Sequence, residues 1–136
     1  MRYLLDTNVL SELCKQRPKK SVPDWVGRTA QDERWISVIT VGEMRRGITL
    51  LRNRKDFDQA VRIEQKVAEL ESFFSDRILP VTIDVARSWA ELSPRQPMAT
   101  CDSWIAATAL NHGLTIVTGN TKDFESSGVP TVNPFE

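Results

Sequence analysis

Four acidic side chains stand where a carboxylate could do chemistry: Asp6, Glu43, Asp102 and Asp123. Each follows an apolar run or opens a helix-like pattern, and none has a histidine or cysteine companion at metal-ligand spacing. His112 is the single histidine, and Cys14 and Cys101 match no zinc spacing. Clustered carboxylates without nitrogen or sulfur donors make a hard-oxygen site, suited to magnesium or manganese. Such a site orients a water, lowers its pKa and neutralises charge on a phosphodiester. Without a cation the same acids would repel one another and raise some of their own pKa values. These residue types therefore point to metal-assisted phosphodiester hydrolysis, provided that the fold brings them together.

The elements that must do so begin at once. Tyr3, Leu4 and Leu5 read as a buried strand, and Asp6, Thr7 and Asn8 supply capping residues ahead of Val9, Leu10 and Leu13 at helical spacing. Asp6 thus stands where a strand ends and a helix begins, the edge at which open α/β sheets bind ligands. Its purely structural role would be a polar stop to the strand, with Asn8 as a helix cap. Residues 35–39 read as a second strand. Thr40 and Glu43 then have the spacing of a capping box, the structural alternative for Glu43. Arg45, Arg46, Arg52, Arg54 and Lys55 form the wet side of a helix or, if they flank the acids, a hold on a phosphate backbone. The basic loop over residues 15–20 offers the same two readings.

Residues 56–75 are strongly helical. Phe57, Ala60, Val61, Ile63, Val67, Leu70 and Phe74 make an apolar stripe that is core or subunit interface. Residues 78–81 are a third strand whose Pro80 marks an edge or an end. Val85, Trp89 and Leu92 mark a helix capped by Thr82 and broken over residues 93–97. Asp102 opens a helix of small residues over 103–111, stopped by Gly113, and its charge suits the helix dipole there. A fourth strand at 114–118 leads through Gly119, Asn120 and Asp123 into a short helix, and residues 129–132 form a last edge strand. Strands alternating with helices imply a parallel sheet whose right-handed crossovers put equivalent strand ends on one edge. Asp6, Glu43, Asp102 and the Asn120/Asp123 pair can all share that edge.

The 136 residues suit a single domain spanning 1–136. Eighteen basic against eighteen acidic residues give zero net charge, which is not the footprint of a protein that coats nucleic acid. No apolar run approaches the roughly 20 residues that span a bilayer. A cytoplasmic protein with reduced cysteines and no membrane contact is expected.

The stretches LDTNVLSE at 5–12, SVITVGE at 37–43, DSWIAATA at 102–109 and IVTGNTKDF at 116–124 resemble the four motifs of the PIN domain family. More closely, they are similar to those of VapC/FitB-like toxins of bacterial toxin–antitoxin pairs. The resemblance implies a three-layer α/β/α fold with a central, mostly parallel sheet of four to five strands. It also implies magnesium- or manganese-dependent cleavage of RNA, homodimerisation, and neutralisation by a small VapB-like antitoxin that would bind DNA. Carried over by position, Asp6 and Asp102 are metal ligands and Glu43 binds metal or positions the attacking water. The family places a fourth acid where either Asn120 or Asp123 stands. Asp123 is taken as the ionisable one, with Thr7, Asn8, Thr118 and Asn120 as positioning groups. Gly119 departs from the arginine often found there. The alternatives are a non-catalytic PIN-like scaffold that binds RNA or protein, and a housekeeping RNA-processing nuclease. A phosphotransferase with Asp6 as nucleophile fits less well, because Asn8 stands where the second acid would be.

Overall fold

Leu4 and Leu5 are neighbours in one strand and both are fully buried, so the sheet they belong to is covered on both faces. A computed structural model describes residues 1–92 and 97–136 of the chain. The break expected over 93–97 falls mostly on residues 93–96, outside the described residues. Five strands, β1 (Tyr3–Leu5), β2 (Arg34–Ser37), β3 (Ile78–Leu79), β4 (Thr115–Val117) and β5 (Thr131–Val132), pair in the order β3-β2-β1-β4-β5. All four pairings are parallel, and Leu4 faces Trp35 on one side and Ile116 on the other.

The alternation of strand side chains sorts the core into two. Leu5, Ile36 and Val117 join residues of α1 (Thr7–Leu13), α2 (Ser21–Arg28), α3 (Val38–Asn53) and α4 (Phe57–Phe73). Leu4 and Ile116 join residues of α6 (Thr100–His112) and of a 3₁₀ helix (Thr121–Ser127), with α5 (Ile83–Ala90) packed on α6. The expected three-layer α/β/α arrangement is present, with five strands. Because β1 and β4 are adjacent and the helices that follow them lie on opposite faces, a crevice opens at their carboxyl ends. Open α/β sheets bind ligands at such a switch point.

Two local expectations change. The second strand starts at Arg34 and ends at Ser37, and α3 begins at Val38. The β-branched run Val38, Ile39, Thr40 and Val41 carries strand propensity, but Ser37 Oγ accepts from the Ile39 amide at 3.0 Å and caps the helix first. Thr40 and Glu43 therefore lie inside the helix and form no capping box. The stripe on α4 is also divided: Ala60 and Val67, with Phe74 just beyond the helix, are buried, while Phe57 and Val61 are exposed. Both cysteines are free, as expected, and among the described residues no helix is long and apolar enough to cross a membrane.

The placement of β2, and so of Ser37 and α3, rests on a buried cation. Arg77 is 4% exposed and donates to the carbonyls of Gln31 (2.5 Å), Arg34 (2.9 Å) and Phe73 (2.8 Å). Its guanidinium also lies over the Phe73 and Phe74 rings, at 5.2 and 4.9 Å from their centroids. Lysine cannot reproduce this planar fork. Arg77→Ala should lower unfolding stability by about 3 kcal/mol, and Arg77→Lys by a comparable amount, read as a shift in the urea midpoint at unchanged slope.

Candidate active site

Asp6 is reached by the chain directly from β1. It caps α1, its Oδ1 accepting from the Thr7 amide at 2.8 Å, and it is 4% exposed. Its other oxygen, Oδ2, accepts from the Thr118 hydroxyl at 2.8 Å, across the ends of β1 and β4. Thr118 Oγ1 itself accepts from Asn8 Nδ2 at 3.2 Å and from the Asn120 amide at 3.0 Å. A hydroxyl has one proton and two lone pairs, so Thr118 is fully used. Asn8 completes the knot by accepting from the Gly119 amide at 3.2 Å.

Glu43 comes in from the second turn of α3. Thr7 Oγ1 donates to Glu43 Oε1 at 2.5 Å, the length of a charge-assisted bond, and lies 3.3 Å from Thr40 Oγ1. Asp102, in the first turn of α6, is the third acid. Asp6, Glu43 and Asp102 line one cleft of about 620 Å³, with Thr7, Asn8, Ser11, Glu12, Lys15, Gly119, Asn120 and Phe135. Asp123 opens onto a neighbouring cleft instead, shared with Asp102, Lys122 and Glu125. Of the two expected fourth-position residues, Asn120 lines the main cleft with Asp6, and Asp123 lines the neighbouring cleft while its charge acts on both Asp6 and Asp102.

The charges are crowded. Burial, then the negative charges of Asp6, Asp123 and Glu43, push the Asp102 carboxyl up to about 6. Asp6 is raised as well: burial outweighs the bonds from Thr118 and the Thr7 amide, and Glu43 and Asp123 add to the rise. An oxygen-only donor set of this kind suits a hard divalent cation. Among the described residues, no three of the acids stand close enough to hold an ion unaided. Magnesium fits such a site, because it keeps several waters and uses one or two carboxylates. Asp6 and Asp102 would hold it, with Glu43 beside them.

The basic run on α3 is not part of this cleft. Arg45 is ion-paired with Glu71 and Arg52 with Glu64, so these two cations tie α3 to α4. The basic group that does reach the rim is Lys15, bonded at 2.8 Å to Glu12, whose second oxygen accepts from the Lys19 amide. Phe135 was not anticipated in the cleft; the only signal for it is an aromatic placed just after Pro134, beyond the last strand.

The fold and cleft define a parallel α/β protein with an acid-lined, oxygen-donor site at the switch point of its sheet. The chain belongs to the PIN domain family, whose model matches residues 3–127. It is 34% identical to the VapC ribonuclease Y4jK of Sinorhizobium fredii over 98% of this chain and 97% of that one. It is 36% identical to the toxin FitB of Neisseria gonorrhoeae, covering 97% of each. The solved structure of FitAB bound to an IR36 DNA fragment superposes with a TM-score of 0.85 at 34% identity, over 98% of this chain and 96% of that one.

Because Asp102 is raised from 3.8 to about 6, its protonated form is the one the fold favours. The associated stability is fully present below about pH 4 and is lost as pH rises through about 6. In EDTA, Asp102→Asn should therefore match the parent near pH 4 and exceed it by about 1–2 kcal/mol at pH 7.5, allowing for solvent screening at this half-open position. Equal denaturation midpoints at pH 7.5 would contradict the crowding.

Proposed function

We propose that this chain is an endoribonuclease toxin of a type II toxin–antitoxin system, dependent on magnesium or manganese and acting through Asp6, Glu43 and Asp102. The observation that carries the reading is the convergence of these acids, from three separate elements, on one cleft. It stands in a PIN domain chain with ribonuclease and toxin relatives that cover nearly its whole length. A divalent cation, when bound, supplies neutralisation of the phosphodiester charge and activation of a water. The chain's own groups do the rest. Thr118 and the Thr7 amide aim the two Asp6 oxygens, and Thr7 also fixes Glu43. In this reading Glu43, held by Thr7, binds the metal or orients the attacking water and accepts its proton. Asp123 adds negative charge beside Asp102, and Asn120 contributes a neutral polar group at the cleft wall.

Complexes of FitB-like and VapC-like toxins with their partners on DNA support a small cognate antitoxin, of the VapB kind, that binds DNA. A homodimer is part of the same proposal. The large apolar side chains left exposed, such as Phe57 and Val61 on α4 and Ile83 and Trp89 on α5, are surface that a second copy or the antitoxin would cover. The proposal further takes the 136 residues as one domain acting in the cytoplasm.

Asp6→Asn removes the charge and replaces one of the two acceptor oxygens with an amide donor. Since the Thr118 hydroxyl must still donate, the asparagine oxygen will serve Thr118 and leave the Thr7 amide uncapped. That loss is about 1 kcal/mol, partly offset by relieved repulsion. The variant should fold and cut RNA at least about 10³-fold more slowly than the parent in magnesium. The assay is cleavage of a structured RNA pool in magnesium, manganese or EDTA, with cut ends mapped. Undiminished cutting by Asp6→Asn, or cutting by the parent that persists in EDTA, would overturn the site or the metal requirement respectively.

A further inference from the structure

The acid cleft contains one large apolar group among its described lining residues, the Phe135 ring, standing opposite carboxylates, amides and a lysine. Three features hold it there. The Phe135 amide donates to Asn133 Oδ1 at 2.9 Å, closing a turn around the buried Pro134. Part of the ring packs on the core cluster that contains Leu5 and Val117. The ring also occupies the space in which a side chain at 119 would begin: a Cβ on Gly119 would lie 2.8 Å from two ring carbons. Gly119 has no positive φ, so a side chain at 119 is opposed by the ring and not by the turn.

An aromatic group left half-exposed among acids loses apolar burial unless something flat covers it. We propose that Phe135 is the platform on which a base of the RNA stacks as the neighbouring phosphodiester enters the cleft. This inference rests on the ribonuclease reading and adds a residue that sets which nucleotide is gripped. Single-stranded RNA is commonly held in this way, by bases stacked on aromatic side chains beside a charged track. Every base has a π-face, so Phe135 supplies grip beside the scissile bond without itself choosing between bases.

The test uses a short RNA spanning the cleavage site mapped for the parent protein, and the same RNA with single abasic nucleotides on either side of the cut. For the parent, one abasic position adjacent to the cut should raise KM by roughly 5- to 100-fold. Phe135→Leu, which keeps apolar bulk, should raise KM for the intact RNA to the same level and become indifferent to that abasic position. Phe135→Tyr should restore the difference. Gly119→Ala should behave like Phe135→Leu by displacing the ring without deleting it, which keeps the test valid should Phe135→Leu fold poorly. If the parent cuts RNA but no flanking abasic position matters, or if Phe135→Leu and the parent respond to it equally, the platform is wrong. If the parent cuts no RNA under any condition, the ribonuclease reading itself falls and this inference with it.

Discussion

The hydrogen bond from the buried Thr118 hydroxyl to Asp6 is the interaction on which the site depends. It joins the carboxyl ends of β1 and β4 at the switch point of the sheet, and it spends the only proton that the hydroxyl has. Its two lone pairs then take Asn8 and the Asn120 amide, so the loop after β4 and the first turn of α1 are fixed by the same atom. Thr7 repeats the device on the other side, with its amide on Asp6 and its hydroxyl on Glu43. The acids are oriented before any ligand arrives, which is how a polar site stabilises charge without reorganising during reaction.

That orientation comes at the expense of stability. Folding brings Asp6, Glu43, Asp102 and Asp123 close enough to raise both Asp6 and Asp102, and among the described residues no lysine or arginine forms an ion pair with any of the four. Several basic groups are engaged elsewhere: Arg45 and Arg52 bind α4, and Lys15, at the rim, holds Glu12. A site kept acidic in this way is poised for a cation, or for a basic group of a partner that enters the cleft.

Much of this was legible in the sequence, for identifiable reasons. β1, α6 and its Gly113 stop, the Thr82 cap and the edge position of β3 follow from short-range pattern and capping chemistry, and each stands where expected. The start of α3 was not, because four consecutive β-branched or small residues look like strand until the Ser37 cap is seen. The capping-box alternative for Glu43 lapses for the same reason, since Thr40 lies inside the helix. Nothing local to Arg77 reveals that the carbonyls of Gln31 and Arg34, more than forty residues away, converge on it beside that of Phe73. Asn120 and Asp123 are three residues apart, and only the turn into the 3₁₀ helix gives one to the main cleft and the other to its neighbour. Phe135 belongs to no periodic pattern, so its place in the cleft appears only with the tertiary fold.

The most direct test of the account is the carboxyl titration of Asp102 followed by NMR, first in EDTA and then in magnesium. Crowded, cation-seeking acids predict an Asp102 pKa near 6 without metal, moving well below that value when magnesium is present. An Asp102 that titrates near 4 in EDTA and does not respond to magnesium would show that the acids neither couple nor bind the ion, and would contradict the account at its centre.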